Sequence, residues 1–309
     1  MIKPVFQDDA FLAEVATARA DGEWFHLWWL GQSGFLVQCQ GHHLLLDPYL
    51  SDSLTKKYAA TDKPHVRMTE RVVAPERLDF IEVVTSSHAH TDHLDPETLK
   101  LLAAANPGLV LICPEATRAT VRERSGLPDE QIIGLDAEEL RNAEPGVQDS
   151  AFRIPHSAFE RPVAEAQVGL FSFHAVPAAH ETLERDDHGR LVRLGYVVQF
   201  GPWTIYHSGD TVWFDGLADW LRPWRIDVAL LPINGRAPER RVAGNLRGRE
   251  AAQLAKHIGA RLVIPCHYEM FEFNTATPAE FVAAASELGQ PHVVLRAGER
   301  WTNAGTGRD

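Results

Sequence analysis

"SSHAHTDHLDP", residues 86–96, puts three histidines and two aspartates into eleven positions just behind the largely apolar run "IEVV" (81–84). His88 and His90 are two apart, so on an extended or turning backbone both side chains can point the same way and grip one cation. Asp92 and His93 come next, where the chain turns into a helix opened by Asp95, and they suit a second cation close to the first. The stretch therefore reads as one half of a dinuclear metal site. Further along the chain, three more donors each stand at the end of an apolar strand: His180 in "AVPAAHE", Asp210 in "TIYHSGD" and His267 in "VIPCHYE".

These residues divide into two balanced sets. His88, His90 and His180 offer three nitrogens to one metal, Asp92, His93 and His267 make a mixed site for the other, and Asp210 can bridge them. Imidazole and carboxylate suit Mn²⁺, Zn²⁺ or Fe²⁺ better than Ca²⁺ or Mg²⁺, and the expected cofactors are two divalent ions, Mn²⁺ or Zn²⁺. Cys266, next to His267, is read as a buried core thiol. The remaining histidines, His26, His42, His43, His65, His156, His174, His188, His257 and His292, are not assigned as ligands. His207, three positions before Asp210 on a strand, either supports the site from behind or turns into the core.

Around the constellation, short strand-like runs alternate with turn residues: 25–30, 35–39, 43–47, 80–86 and 109–113, then 168–176, 195–200, 203–208, 227–233, 261–266 and 292–297. Helices are predicted over "DPETLKLLAAAN", with Asp95 as N-cap and Pro96 in the first turn, over "PEATRATVRERSG", over "GREAAQLAKHIG", and over "TPAEFVAAASELG", with a capping box from Thr277 to Glu280 and a stop at Gly289. Strand clusters mixed with helices imply sheets covered by helices. An internal echo accompanies them. "GFLVQCQGHHLLLDP" (34–48) and "GYVVQFGPWTIYHSGDT" (195–211) share Gly-aromatic-x-Val-Gln, a turn, a second strand and a closing Asp, as two similar β-rich halves would.

The 309 residues are read as one domain, 1–309, with disorder expected only in the tail "NAGTGRD". A formal net charge of −12 disfavours a general affinity for nucleic acid or anionic membrane. No secretory leader or long apolar run is evident, and three well-separated cysteines do not form a disulfide framework, so the expected compartment is the cytoplasm.

The order H-x-H-x-D-H, then His, Asp and His downstream, resembles the metallo-β-lactamase superfamily, and the match runs from residue 34 to 267. The resemblance implies an α+β fold, an αββα sandwich of two mixed β-sheets flanked by helices with the metals at one sheet edge. It also implies that Asp47 in "LLLDPYL" orients the metal loop from behind. Within the superfamily, "WWLGQSGF", "DPYLSDS", "AAHE", "YHSGDT", "LPINGR" and "IPCHYEMFEFNT" are similar to the L-ascorbate-6-phosphate lactonase branch, which implies a homo-oligomer.

A pair of divalent ions lowers the pKa of bound water from 15.7 to about 7 and polarises a carbonyl or phosphoryl oxygen. The expected activity is hydrolysis of a small anionic substrate, foremost opening of a sugar-acid lactone such as L-ascorbate 6-phosphate, with Asp92 orienting the nucleophile and Asp210 between the metals. The alternative is hydrolysis of a phosphate ester on the same site. Substrate contacts are expected from "NGRAPERRVAGNLRGRE" (234–250), above all Asn234 and Arg236, which lie nearest the strand end. The stretch 52–65 is read as a surface excursion in preference to a lid, and Trp213 as the one tryptophan that could line the pocket.

Overall fold

The structure, a computed structural model, describes residues 1–137 and 164–304; His156 and residues 305–309 of the tail lie outside them. Among the described residues, two sheets are formed. The first holds β1 (Phe25–Gly31), β2 (Gly34–Cys39), β3 (His42–Leu46), β4 (Val83–Thr85), β5 (Val110–Pro114) and β6 (Ile132–Leu135). The second holds β7 (Glu165–Val168), β8 (Phe171–Pro177), β9 (Leu194–Phe200), β10 (Trp203–His207), β11 (Val228–Pro232) and β12 (Leu262–Cys266), and β13 (Arg300–Thr302) returns to the first. Strand order is β13-β1-β2-β3-β4-β5-β6 in one sheet and β12-β11-β10-β9-β8-β7 in the other.

Both sheets are mixed, and in the same way. β1, β2 and β3 run antiparallel and β3 to β6 parallel; β8, β9 and β10 run antiparallel and β10 to β12 parallel. Nearly every position of the central strands is buried, as strands covered on both faces require. The sheets meet face to face through aromatic side chains. The Phe25 ring on β1 lies 5.2 Å edge-on from Phe200 of β9 and 5.6 Å from Trp203 of β10.

The helices are α1 (Asp8–Ala18), α2 (Ser53–Tyr58), α3 (Pro96–Ala105), α4 (Arg118–Ser125), α5 (Leu217–Leu221), α6 (Gly248–His257) and α7 (Ala279–Glu287). α4 packs on β5 and β6, and α6 on β11 and β12, so helices cover the outer faces and the fold is the α+β sandwich expected. Asp95 caps α3 as predicted, accepting from the amides of Glu97 and Thr98. None of the helices among the described residues is long and apolar enough to cross a membrane.

Three local expectations are corrected. The run 168–176 contains a hairpin turn at Gly169–Leu170 between β7 and β8. Residues 292–297 form no strand: only His292 bridges Val263, and the chain then leaves the second sheet so that Gly298 can donate to the Trp29 carbonyl and start towards β13. The Thr277–Glu280 capping box is absent, because α7 begins after Pro278 and no side chain caps it.

Candidate metal centre

Residues that strand ends deliver to one edge of the sandwich make up the site. β4 runs into the histidine loop, the segment after β8 carries His180, that after β10 carries Asp210, and β12 is followed directly by His267. The seven side chains are brought together in two groups, His88, His90, His180 and Asp210, and Asp92, His93 and His267, with the donor atoms of each group within 4.8 Å of one another. Asp210 faces both: its carboxylate oxygens stand 3.6 Å from His180 Nε2, 3.3 Å from His93 Nε2 and 3.4 Å from His267 Nε2.

The residues fit metal ions. His88 Nε2, His93 Nε2 and Asp210 Oδ1 are buried polar atoms without a hydrogen-bond partner, an arrangement that is costly unless a cation satisfies it. Burial opposes charge on His93, yet Asp210 and Asp92 beside it lift its pKa well above the usual imidazole value. His88 goes the other way: burial, then His93 and His90, hold it well below that value and keep the ring in the neutral form a ligand needs. Burial also disfavours the Asp210 carboxylate, but His267 and His93 outweigh it and keep Asp210 ionised, its pKa well below the carboxylate range. The thiol of Cys266 is pushed well above its ordinary pKa, first by burial and then by Asp210, so it stays protonated.

A buried frame fixes the ligands. Asp47 is fully buried and accepts from His93 Nδ1 at 2.8 Å, from Ser87 N at 3.0 Å, from Thr85 Oγ1 at 2.8 Å and from the Ser87 hydroxyl. That bond to Nδ1 leaves His93 Nε2 facing Asp210. His180 is fixed likewise, donating Nδ1–H to the Gly244 carbonyl at 2.6 Å. Arg124, from α4, donates to the carbonyls of Ala89 and Leu94, on either side of His90, Asp92 and His93. His207 is buried and takes another course: its Nε2 lies 2.9 Å from the Ser33 carbonyl, and it makes no hydrogen bond to a ligand.

Gln32 is a contact that the sequence analysis does not assign. Its amide Nε2 lies 2.7 Å from Asp92 Oδ2 and 3.0 Å from His267 Nε2, and its carbonyl accepts from the His267 amide. Gln32, Asp47, Glu181, His267 and Glu269 all have positive φ although none is glycine, a clustering of strained backbone characteristic of functional edges. The signal available was "LGQSG", a turn whose conformation composition alone does not specify.

A cleft of about 330 Å³ opens over the ligands, with His90, Asp92, His180, Asp210 and His267 on its floor and Lys57, Tyr58, His65, Arg124, Phe273 and Asn274 among its walls. The 52–65 stretch thus contributes a wall of the cleft. A larger concavity of about 470 Å³, between Thr204, Trp224 and Arg261, lies at the other end of the second sheet and contains none of the ligands. Asn234, expected to contact substrate, is buried and does not line the cleft; its amide donates at 3.0 Å to Asn274, which does. Arg236 turns away to Glu250, with contacts of 2.8 and 2.6 Å, and does not line the cleft. Trp213 also lies outside the lining, against His257, and Tyr268 stacks on Trp29 in the core.

Residues 42–268 match the family model of the Beta-lactamase superfamily domain. A metal-dependent hydrolase of Caldivirga maquilingensis is 28% identical over 277 residues, covering 89% of this chain and 96% of its own. Among solved structures, a metallo hydrolase of Ignicoccus hospitalis shares the fold at a TM-score of 0.59 and 21% identity, over 90% of this chain and 98% of the other. An isothiocyanate hydrolase from Delia radicum gut bacteria does so at 0.64 and 19%, over 89% and 98%.

Proposed function

We propose that this chain, which belongs to the metallo-β-lactamase superfamily of metal-dependent hydrolases, opens the ring of an anionic sugar-acid lactone of the L-ascorbate 6-phosphate type. The observation that carries this reading is the cleft itself, whose lining brings Lys57 and Arg124 together with the candidate ligands. Neither cation pairs with a carboxylate among the described residues, in a chain whose net charge is −12. Cations without a carboxylate partner beside a metal site suit a substrate carrying phosphate or carboxylate, and the volume suits a single sugar.

His88, His90 and His180 would hold one ion and Asp92, His93 and His267 the other, with Asp210 between them; Mn²⁺ and Zn²⁺ both fit the donor set. Such ions, when bound, supply an acidified water and an electrophilic contact for a carbonyl oxygen. Asp92, on the open side of the site with Gln32 holding its Oδ2, orients the attacking water by accepting its hydrogen bond. Lys57 and Arg124 draw the substrate anion to the cleft's lining and so orient the ring carbonyl towards the metal-binding residues. The resemblance to the lactonase branch further supports a homo-oligomer; the net charge of −12 supports a small-molecule substrate without a nucleic-acid or membrane partner, and the separated cysteines support the cytoplasm.

Metal content by mass spectrometry, together with turnover of phosphorylated and plain sugar lactones, tests the proposal. About two Mn or Zn per chain and faster opening of phosphorylated lactones are expected. Cleavage of bis(p-nitrophenyl) phosphate with no lactone opened would replace the lactone by a phosphate ester.

A further inference from the structure

His65 lines the cleft and is not among the metal-binding groups. Its ring is clamped: it stacks on Tyr58 at 4.2 Å with 20° between the planes, and it meets Phe273 edge-on at 4.5 Å and Phe271 at 5.2 Å. Its Nδ1 lies 3.0 Å from the Lys63 carbonyl. A carbonyl can only accept, so Nδ1 carries the proton and Nε2 bears the lone pair. Burial lowers the His65 pKa, with the Lys63 carbonyl acting against it, and the ring is therefore neutral near pH 7. The cleft wall is thus an aromatic surface bearing one fixed hydrogen-bond acceptor, beside the cation of Lys57.

We propose that His65 is a specificity-determining residue, its Nε2 accepting a hydrogen bond from a substrate hydroxyl while the Tyr58 and Phe273 rings carry the apolar face of the same sugar. The inference deepens the lactonase reading and rests on it. A clamped acceptor discriminates because a substrate lacking the hydroxyl leaves it unpaired, while one carrying the hydroxyl finds it already oriented.

The test compares kcat/KM for D-glucono-1,5-lactone and δ-valerolactone, which has no hydroxyl, in the wild type and in His65→Phe and His65→Gln. Phe keeps the aromatic stack and removes the acceptor; Gln keeps an acceptor. The expected result is a preference for the hydroxylated lactone that falls about tenfold or more in H65F, through KM and not kcat, and is largely restored in H65Q. An H65F enzyme with the wild-type preference overturns the proposal. Should H65F not fold, H65Q against His65→Met poses the same question. Should the wild type open neither lactone, the lactonase reading is decided on phosphorylated lactones, and calorimetric titration of the metal-loaded protein with gluconate tests His65 alone: about tenfold weaker binding by H65F supports its role, and equal affinity, or no binding to either protein, overturns it.

Discussion

The β2–β3 and β9–β10 hairpins are built on one plan and put to different uses. Gln38 pairs with His43 in the first as Gln199 pairs with Thr204 in the second, and Phe35 pairs with Leu46 as Tyr196 pairs with His207. After these matching positions the halves diverge. Asp47 follows Leu46 immediately and tucks behind the histidine loop, whereas Ser208 and Gly209 intervene between His207 and Asp210. Two added residues give up to about 7 Å of reach, enough to carry the second aspartate out among the imidazoles. Gly209 makes the detour possible: its φ is +58° and a Cβ there would stand 2.5 Å from the Ser87 Cβ. A carboxylate's role is thus set by the donors already around it. Asp47 is saturated by four, while Asp210 Oδ1 has none.

Exchanging each aspartate for asparagine breaks that comparison most sharply. Asp210→Asn removes the anion shared by the two ligand groups. It is expected to lose bound metal and to lower kcat/KM by about 10³-fold or more, with no loss of stability in chelator. Asp47→Asn sets an NH₂ group against buried donors that required an acceptor. It is expected to cost about 3 kcal/mol of stability even in chelator, and to weaken metal binding about 10- to 100-fold. Metal analysis and urea unfolding of the chelated proteins check both, and identical behaviour of the two variants would erase the distinction.

At the matching register of the two hairpins, acid should separate the halves again. His43 is buried beside Phe80, both ring nitrogens lack partners, and burial, then Arg19 and His42, lower its pKa to about 4. Thr204, its counterpart, has no titrating side chain, and its amide donates to Asp227 at 2.9 Å. The folded pKa of His43 is below the unfolded value of about 6.5, so the unfolded chain binds the proton more readily in between. Stability is therefore full above about pH 6.5 and falls as the pH drops towards 4, by at most about 3 kcal/mol from this residue. Because other groups also change with pH, the measurement is the difference in urea midpoint between wild type and His43→Leu at pH 7 and pH 4.5. The variant is expected to lose less; equal losses would mean that His43 is not the titrating group.

What could be read from the sequence was whatever depends on spacing along one strand. The H-x-H-x-D-H run and the three later donors stand at ends of strands whose apolar runs are unmistakable, and the echoed hairpins disclose the paired halves. Positions that depend on which segments meet across the fold were not legible. Gln32 touches Asp92 and His267 only because β1 turns beneath β12, and His65 reaches the cleft only because Tyr58 and Phe273 clamp it. Residues 292–297 have the β-branched pattern of a strand, but the course of the chain from the second sheet back to the first overrides it.

The smallest expected effect concerns the loop after β11, the second half's counterpart of the histidine loop after β4. Its arginines look on sequence like anion receptors, yet four of the five are engaged by other protein groups. Arg240 donates to the Asn234 and Thr275 carbonyls, Arg241 pairs with Asp62 at 2.5 Å, and Arg249 pairs with Glu287. Arg236 grips Glu250, which also accepts the Arg247 amide at the start of α6. The Arg236 side chain is 38% exposed, so solvent screens the pair and Arg236→Ala should cost below about 1 kcal/mol. It packs against Gly244, whose carbonyl fixes His180, and the change should therefore weaken metal binding by a small factor while leaving KM for an anionic substrate unchanged. Metal competition titrations and Michaelis constants for R236A test this together. A tenfold rise in KM at full metal content would place the guanidinium on the substrate, and the second half's loop would then select the substrate while the first half's loop holds the metals.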